Sequence, residues 1–250
     1  MTSPMQGKVA LITGGSKGIG RATCIALAKL GASIVITYSS DANAANELVK
    51  QLGEANAIAV KADAGSIEGA EKTIQAAIEK FGRLDVVIPN AASRLLTKGI
   101  EDTSEEDFED AYRVNVKGPY FLIQKALPHL KEGARIVMIS TTQCHASTVT
   151  ANYLLYCSTK GAVEQMVKIL SKALGPKGIS INAIAPGPTG TDFFLEGKSE
   201  QVLKTIAGFS PHNRIGQPEE IADAIAFMSS PASRWVSGQI LAVNGGMAFV

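Results

Sequence analysis

Cysteine is scarce in this 250-residue sequence, and what there is shows no pairing pattern: Cys24, Cys144 and Cys157 are odd in number and never spaced CxxC. That argues against a disulfide framework or a zinc site, so no metal is expected and the simplest compartment is a reducing one. An excess of one charge is lacking too. Lys+Arg 24 against Asp+Glu 23 leaves a formal charge of +1. Without a basic stripe or polybasic patch, neither nucleic acid nor a membrane surface is an expected partner. No run approaches the ~18 apolar residues of a bilayer span. Met1–Lys8 lacks the basic head and apolar stretch of a secretory signal. A cytoplasmic protein is the expectation. No linker, repeat or compositional break divides a chain that is 46% hydrophobic, so residues 1–250 read as one domain with a real core.

What is present is an alternation of β-branched runs and helical windows. Strands are expected over 8–13, 33–38, 57–60, 84–88, 135–139, 179–184 and 239–243. Their continuous apolar character marks strands buried on both faces. Helices are expected over 42–52 behind the N-cap Asp41, over 66–81, and over 154–174. In the last of these, Val163, Met166, Val167 and Leu170 form an apolar stripe. The acidic run Glu101–Asp107 reads as a helix start capped by Ser104. Strand–helix alternation implies an α/β domain with a parallel seven-stranded sheet and helices on both faces. Two irregular stretches, 141–153 and about 187–217, follow strand carboxyl ends, where such sheets bind ligands. The second carries Phe193, Phe194, Leu195 and Phe209 on a polar track and is expected to be a substrate lid.

Thr13-Gly14-Gly15-Ser16-Lys17-Gly18-Ile19-Gly20 joins the first strand to a helix. Residues without Cβ let backbone approach a pyrophosphate, and the helix start presents free N–H groups to it. An acid at the end of the second strand would bond ribose hydroxyls and repel a 2′-phosphate. Here Tyr38-Ser39-Ser40 is neutral and rich in hydroxyls, with Lys17 available to a phosphate. Asp41, 21 residues after Gly20, reads as the cap of the next helix. NADP(H) is therefore expected over NAD(H).

Tyr156 and Lys160 lie four apart in a helical window, on one face. An ammonium one turn away is expected to lower the phenol pKa towards the working range of an acid–base catalyst. Tyr153 fails as an alternative, because residue 157 is Cys; it reads as packing or substrate wall. Cys24, Cys157 and His145 read as structural rather than reactive.

With these motifs in order, the whole chain resembles the short-chain dehydrogenases/reductases of the compact type. The resemblance rests on Thr13–Gly20, Asp63, Asn115 within Val114–Gly118, Tyr156/Lys160, Pro186-Gly187 with Thr191, and Gly245-Gly246. It implies a doubly wound (Rossmann-type) fold and hydride transfer between nicotinamide C4 and a carbonyl or secondary alcohol. Tyr156 would be the acid, Lys160 would hold the nicotinamide ribose, and Asn115 would hold a water of the proton relay. Asp63, with Ala64, would contact adenine. Asn90 and Ala91 would lie by the cofactor, and Thr189 and Thr191 would bond its carboxamide and pyrophosphate. A homotetramer, or else a homodimer, is implied, with helices near 105–130 and 154–174 at one interface and the tail 240–250 at another. A 3-oxoacyl thioester, an aromatic polyketide ketone, and a sugar or alicyclic ketone remain open as substrates. A non-catalytic nucleotide sensor, or a cofactor-using isomerase or dehydratase, is the rival reading.

Three departures from the family pattern stand out. The usual serine 13 residues before the tyrosine is Gln143. By strand register its role falls on Thr141, with Ser140 and Thr142 as neighbours able to serve. The usual Asn-Asn-Ala-Gly reads Pro89-Asn90-Ala91-Ala92, and the usual aspartate before the closing glycines is Asn244.

Overall fold

The computed structural model describes residues 3–95 and 97–249. Seven strands, β1 (Val9–Ile12), β2 (Ser33–Tyr38), β3 (Ala57–Lys61), β4 (Val86–Ile88), β5 (Arg135–Ile139), β6 (Ser180–Pro186) and β7 (Ile240–Val243), form one sheet. Its order is β3-β2-β1-β4-β5-β6-β7, and every pairing is parallel. Strand order reverses between β1 and β4, so the crevice at their carboxyl ends is the topological switch point where such sheets take a ligand.

Period-two alternation feeds two cores, one on each face. Val9 and Leu11 of β1, with Ile136 and Met138 of β5, face one layer. There they meet α3 (Ile67–Phe81), α5 (Gly118–Ala126) and α6 (Leu154–Leu174). Ala10, Ile12, Val137 and Ile139 face the other. That layer holds α1 (Gly18–Lys29), α2 (Ala42–Leu52) and α9 (Pro218–Ser229). Each fully buried Leu, Ile or Val contributes about 1.5–3 kcal/mol relative to exposure, so both faces are needed to offset chain ordering. Cys24, fully buried in the second layer, behaves as the expected small hydrophobe.

Local signals set the helix starts. Asp41 accepts from the Ala44 amide, and Ser66 caps α3 through Gly69. Ser104 forms a capping box with Asp107 at the start of α4 (Glu105–Tyr112). Between α4 and α5 the helix widens into a five-residue π turn, Arg113–Lys117.

The stretch expected to be an irregular lid contains two short helices, α7 (Asp192–Leu195) and α8 (Glu200–Ala207), capped by Thr191 and Ser199. The lid is tied at its base. Thr189 and Gly216 form a parallel bridge, with Gly216 N–H donating to the Pro188 carbonyl at 3.0 Å and Gly190 N–H to the Gly216 carbonyl at 2.9 Å. The loop over 141–153 likewise contains two 3₁₀ turns, Thr142–Cys144 and Ala151–Tyr153. Val250, at the end of the tail expected at an interface, lies outside the described residues. Among those residues no helix is long and apolar enough to cross a membrane, and no cluster of metal-ligating side chains occurs.

Candidate active site

A cleft of about 420 Å³ opens over the carboxyl ends of β1, β4, β5 and β6. Its floor is the glycine turn. Gly14 and Gly18 hold φ of 62° and 51°, the left-handed region that side chains with Cβ disfavour. A Cβ on Gly20 would drive into the Gly14 carbonyl and the Asn90 amide, which keeps the turn wound against β4. Thr13 fastens the two strand ends: its hydroxyl accepts from the Asn90 and Ala91 amides, both at 3.0 Å. The start of α1 has no side-chain cap and no acid in its first turn. An uncapped twelve-residue helix aimed at a glycine-lined cleft fits the pyrophosphate of a dinucleotide.

Gly14, Ser16, Lys17, Gly18, Ile19 and Gly20 all line the cleft, as do Tyr38, Ser39 and Ser40 at the end of β2. So do Asn90, Ala91, Pro186, Gly187, Thr189 and Thr191. Lys17 is not free there. Its ammonium lies 2.6 Å from Asp41, and the hydrogen bond to that carboxylate raises its pKa. Asp41 therefore does more than the capping read from the sequence: it also lines the cleft and neutralises Lys17.

Asp63 and Ala64 are absent from the cleft wall. The Asp63 carboxylate accepts from the Gly65 amide at 2.9 Å and from Arg113 at 2.6 Å. Burial raises its pKa, but these bonds outweigh it and hold the acid below its ordinary value. Asn115 is also set back from the wall, in the π turn, 1% exposed. Its carbonyl accepts from the Ser93 amide and its Nδ2 donates to Thr159. Asn244 holds the tail turn instead of the cleft, accepting from Gly246 and donating to Ala248.

Tyr156 and Lys160 project from α6 into the deep end of the cleft. The Lys160 ammonium sits 5.8 Å from the Tyr156 ring centre and donates to the Ile139 carbonyl at 2.8 Å. Their electrostatics differ from the sequence expectation. Desolvation pushes the Tyr156 phenol up, against the neighbouring Thr141 hydroxyl, which pulls it down. Burial also pushes Lys160 down to about 8.

The three neighbouring hydroxyls have separate partners. Ser140 donates to Glu164 at 2.6 Å, and Thr142 donates to the Ala185 carbonyl at 3.1 Å. Thr141 accepts from the Gln143 amide and reaches Tyr156. Glu164, 6% exposed, has no counterpart in the sequence reading. It anchors the 141–153 loop through Ser140 and through His145, whose Nε2 lies 2.9 Å from the same carboxylate oxygen. An acid one turn past Lys160, beside the apolar stripe, is the only sequence signal it left. Above the phenol the wall is apolar: Leu95, Tyr153, Phe193 and Phe194 line it, whereas Leu195 and Phe209 of the expected lid face do not.

A sequence model described as Enoyl-(Acyl carrier protein) reductase matches residues 14–248. The chain is 36% identical to a versicolorin reductase of Emericella nidulans, covering 97% of this chain and 96% of that protein. It is also 36% identical to a hydroxynaphthalene reductase-like protein of Metarhizium anisopliae, covering 97% and 95%. A short chain dehydrogenase from Burkholderia cenocepacia, solved in complex with NADP, superposes with a TM-score of 0.91 at 32% identity, covering 98% and 99% of the two chains. Sequence motifs, sheet order and these similarities agree, and the chain belongs to the short-chain dehydrogenase/reductase family of nicotinamide-dependent oxidoreductases.

Proposed function

We propose that the protein is an NADP(H)-dependent reductase of ketones on aromatic, polyketide-type substrates, with Tyr156 as the proton donor. The observation that carries the reading is the convergence of Thr141, Tyr156 and Lys160 at the deep end of the cleft that begins at the glycine turn. Gly14–Gly20 and the start of α1 would hold the pyrophosphate, Tyr38–Ser40 the adenosine ribose, Lys17 its phosphate by exchanging the exposed Asp41 carboxylate for it, and Lys160 the nicotinamide ribose. Bound there, the reduced dinucleotide supplies the hydride.

The chain's own residues supply the rest. Thr141 orients the carbonyl oxygen, and the Tyr156 hydroxyl donates a proton to it. A phenol held up by desolvation stays protonated at neutral pH, which suits an acid in the reducing direction. Lys160 lines the cleft with the phenol, and the buried Asn115, bonded to Thr159 on the same helix, would hold a water that returns the proton from solvent. Leu95, Tyr153, Phe193 and Phe194 form a wall suited to a flat aromatic ketone, and the versicolorin and hydroxynaphthalene reductase relatives favour this substrate class over a thioester or a sugar. A homotetramer, cytoplasmic location and a single small-molecule partner belong to the same reading; sedimentation at working concentration checks the first.

The direct test is a panel of aromatic, thioester and alicyclic ketones followed by nicotinamide absorbance with both cofactors. Aromatic bicyclic ketones with NADPH are expected to turn over fastest; faster turnover with NADH, or none with any ketone, defeats the reading. Two variants sharpen it. Lys17→Ala is expected to raise KM for NADPH about 10–100-fold, the loss of one charge-assisted contact, and to leave KM for NADH unchanged. Thr141→Ala is expected to lower kcat about 10–10³-fold. Thr142→Ala, whose hydroxyl serves Ala185, is expected to stay near wild type, and equal losses in the two would remove Thr141 from its role.

A further inference from the structure

Two of the three cysteines meet beside the catalytic groups. Cys24 is not one of them: it is fully buried, its Sγ turned to the Gly15 carbonyl, and burial pushes its thiol far up. Cys144 closes the 3₁₀ turn three residues after Thr141, and Cys157 directly follows Tyr156 in the first turn of α6. Both are half-buried. The Cys144 thiol donates to the Cys157 carbonyl at 3.6 Å. Interaction with the neighbouring Cys144 thiol draws Cys157 below the ordinary thiol value, against burial and the charge of Glu164, and the same interaction holds Cys144 up. An acidified thiol beside a protonated one is the asymmetry that thiol–disulfide exchange uses, the first attacking and the second resolving.

We propose that Cys144 and Cys157 form a redox modification site, which closes to a disulfide on reaction with a low-molecular-weight disulfide such as oxidised glutathione and thereby locks the Thr141 loop onto the Tyr156 helix. The Cys157 thiolate attacks one sulfur of the oxidant, breaking its S–S bond and releasing one thiolate. Cys144 then gives its proton to solvent and attacks the Cys157 sulfur, expelling the second thiolate. The two protein thiols lose two electrons and two protons, and the oxidant leaves as two reduced thiols. The second step is intramolecular and needs no large reach, because the Cys144 sulfur already rests against the Cys157 backbone. Bonded sulfurs must close to about 2.05 Å, which draws in the loop that Ser140 and His145 otherwise hang from Glu164. A shift of Thr141 relative to Tyr156 by even ~1 Å is enough to cost about 10²-fold in turnover.

The test uses the full-length protein, reduced and then incubated with oxidised glutathione. Non-reducing peptide mapping is expected to show a Cys144–Cys157 cross-link and an intact mass lower by two hydrogens. Ketone turnover is expected to fall at least ~10-fold and to return with dithiothreitol. Cys144→Ser and Cys157→Ser are expected to keep the basal turnover and to lose the sensitivity. The mapping stands on wild-type protein alone, independent of whether either variant folds or of which ketone is the substrate. An unchanged mass, glutathione adducts without a cross-link, or a link through Cys24 overturns the site; a complete cross-link with unchanged turnover overturns its control of activity.

Discussion

Tyr156→Phe is expected to lower ketone turnover by about 10²–10⁴-fold, the usual contribution of a positioned general acid, while NADPH binds as before. The substitution removes one oxygen from a half-buried ring beside the Thr141 hydroxyl. Losing a single polar contact costs about 1 kcal/mol, too little to unfold a domain with two cores. The glycine turn and Lys17 are untouched, so a cofactor titration followed by nicotinamide fluorescence is expected to give the wild-type Kd. The split between binding and turnover is the informative part: an interaction used only in the transition state lowers kcat without weakening ground-state binding. Ketone reduction at the wild-type rate in this variant would sink the proposed chemistry.

Lys160→Met is expected to do two opposite things, abolishing measurable turnover and raising thermal stability at neutral pH. Lys160 is 4% exposed, with a backbone carbonyl and no carboxylate as its hydrogen-bond partner. Its pKa of about 8, against an ordinary 10.5, corresponds to about 3 kcal/mol of unfavourable burial of the charged form. Methionine fills similar space without the charge but forfeits the bond to the Ile139 carbonyl, a loss of ~1 kcal/mol. The net gain is therefore about 1–2 kcal/mol, or a few degrees in Tm for a chain of this length.

The pH dependence separates this cause from simple repacking. Because the folded value lies below the unfolded one, the folded protein binds fewer protons between about 8 and 10.5, so wild-type stability rises with pH across that window. Below about 8 the burial cost is present in full. The advantage of the Met variant is expected to be largest there and to disappear towards 10.5. A constant difference, or a less stable variant at neutral pH, contradicts the assignment.

Where the sequence carried a local signal, the fold could be read closely. β2, β5, α2 and α6 have the bounds expected from their apolar patterns, because caps and stripes act within a few residues. Strand ends were harder. β1 stops at Ile12 because Thr13 turns its hydroxyl to the Asn90 and Ala91 amides, and β6 runs on through Pro186 because β7 pairs with it there. Both depend on residues far along the chain. The lid helices had caps in view at Thr191 and Ser199, yet each is so short that the polar composition around it dominated the pattern.

The site divides the same way. The glycine turn and the Tyr156/Lys160 spacing are local, and both line the cleft. Asp63 is drawn off by Arg113, 50 residues away, and Glu164 earns its place through Ser140 and His145, 24 and 19 residues before it. Spacing placed the phenol and the ammonium on one face, but their acidities follow from how much solvent the fold leaves around each, which no residue pattern states.

The π turn at Arg113–Lys117 sets a limit on insertions and deletions. Five residues there cover a rise that an α-helix spans with four, and each residue turns such a helix by about 100°. Removing one would regularise α4 and α5 into a single rod, which the capping box and the core side of α5 would tolerate. The same deletion would swing Asn115 away from the Ser93 amide and Thr159. A shortened chain of this kind is expected to fold, bind dinucleotide and lose turnover, which makes length at this one turn as strictly constrained as the identity of any side chain around it.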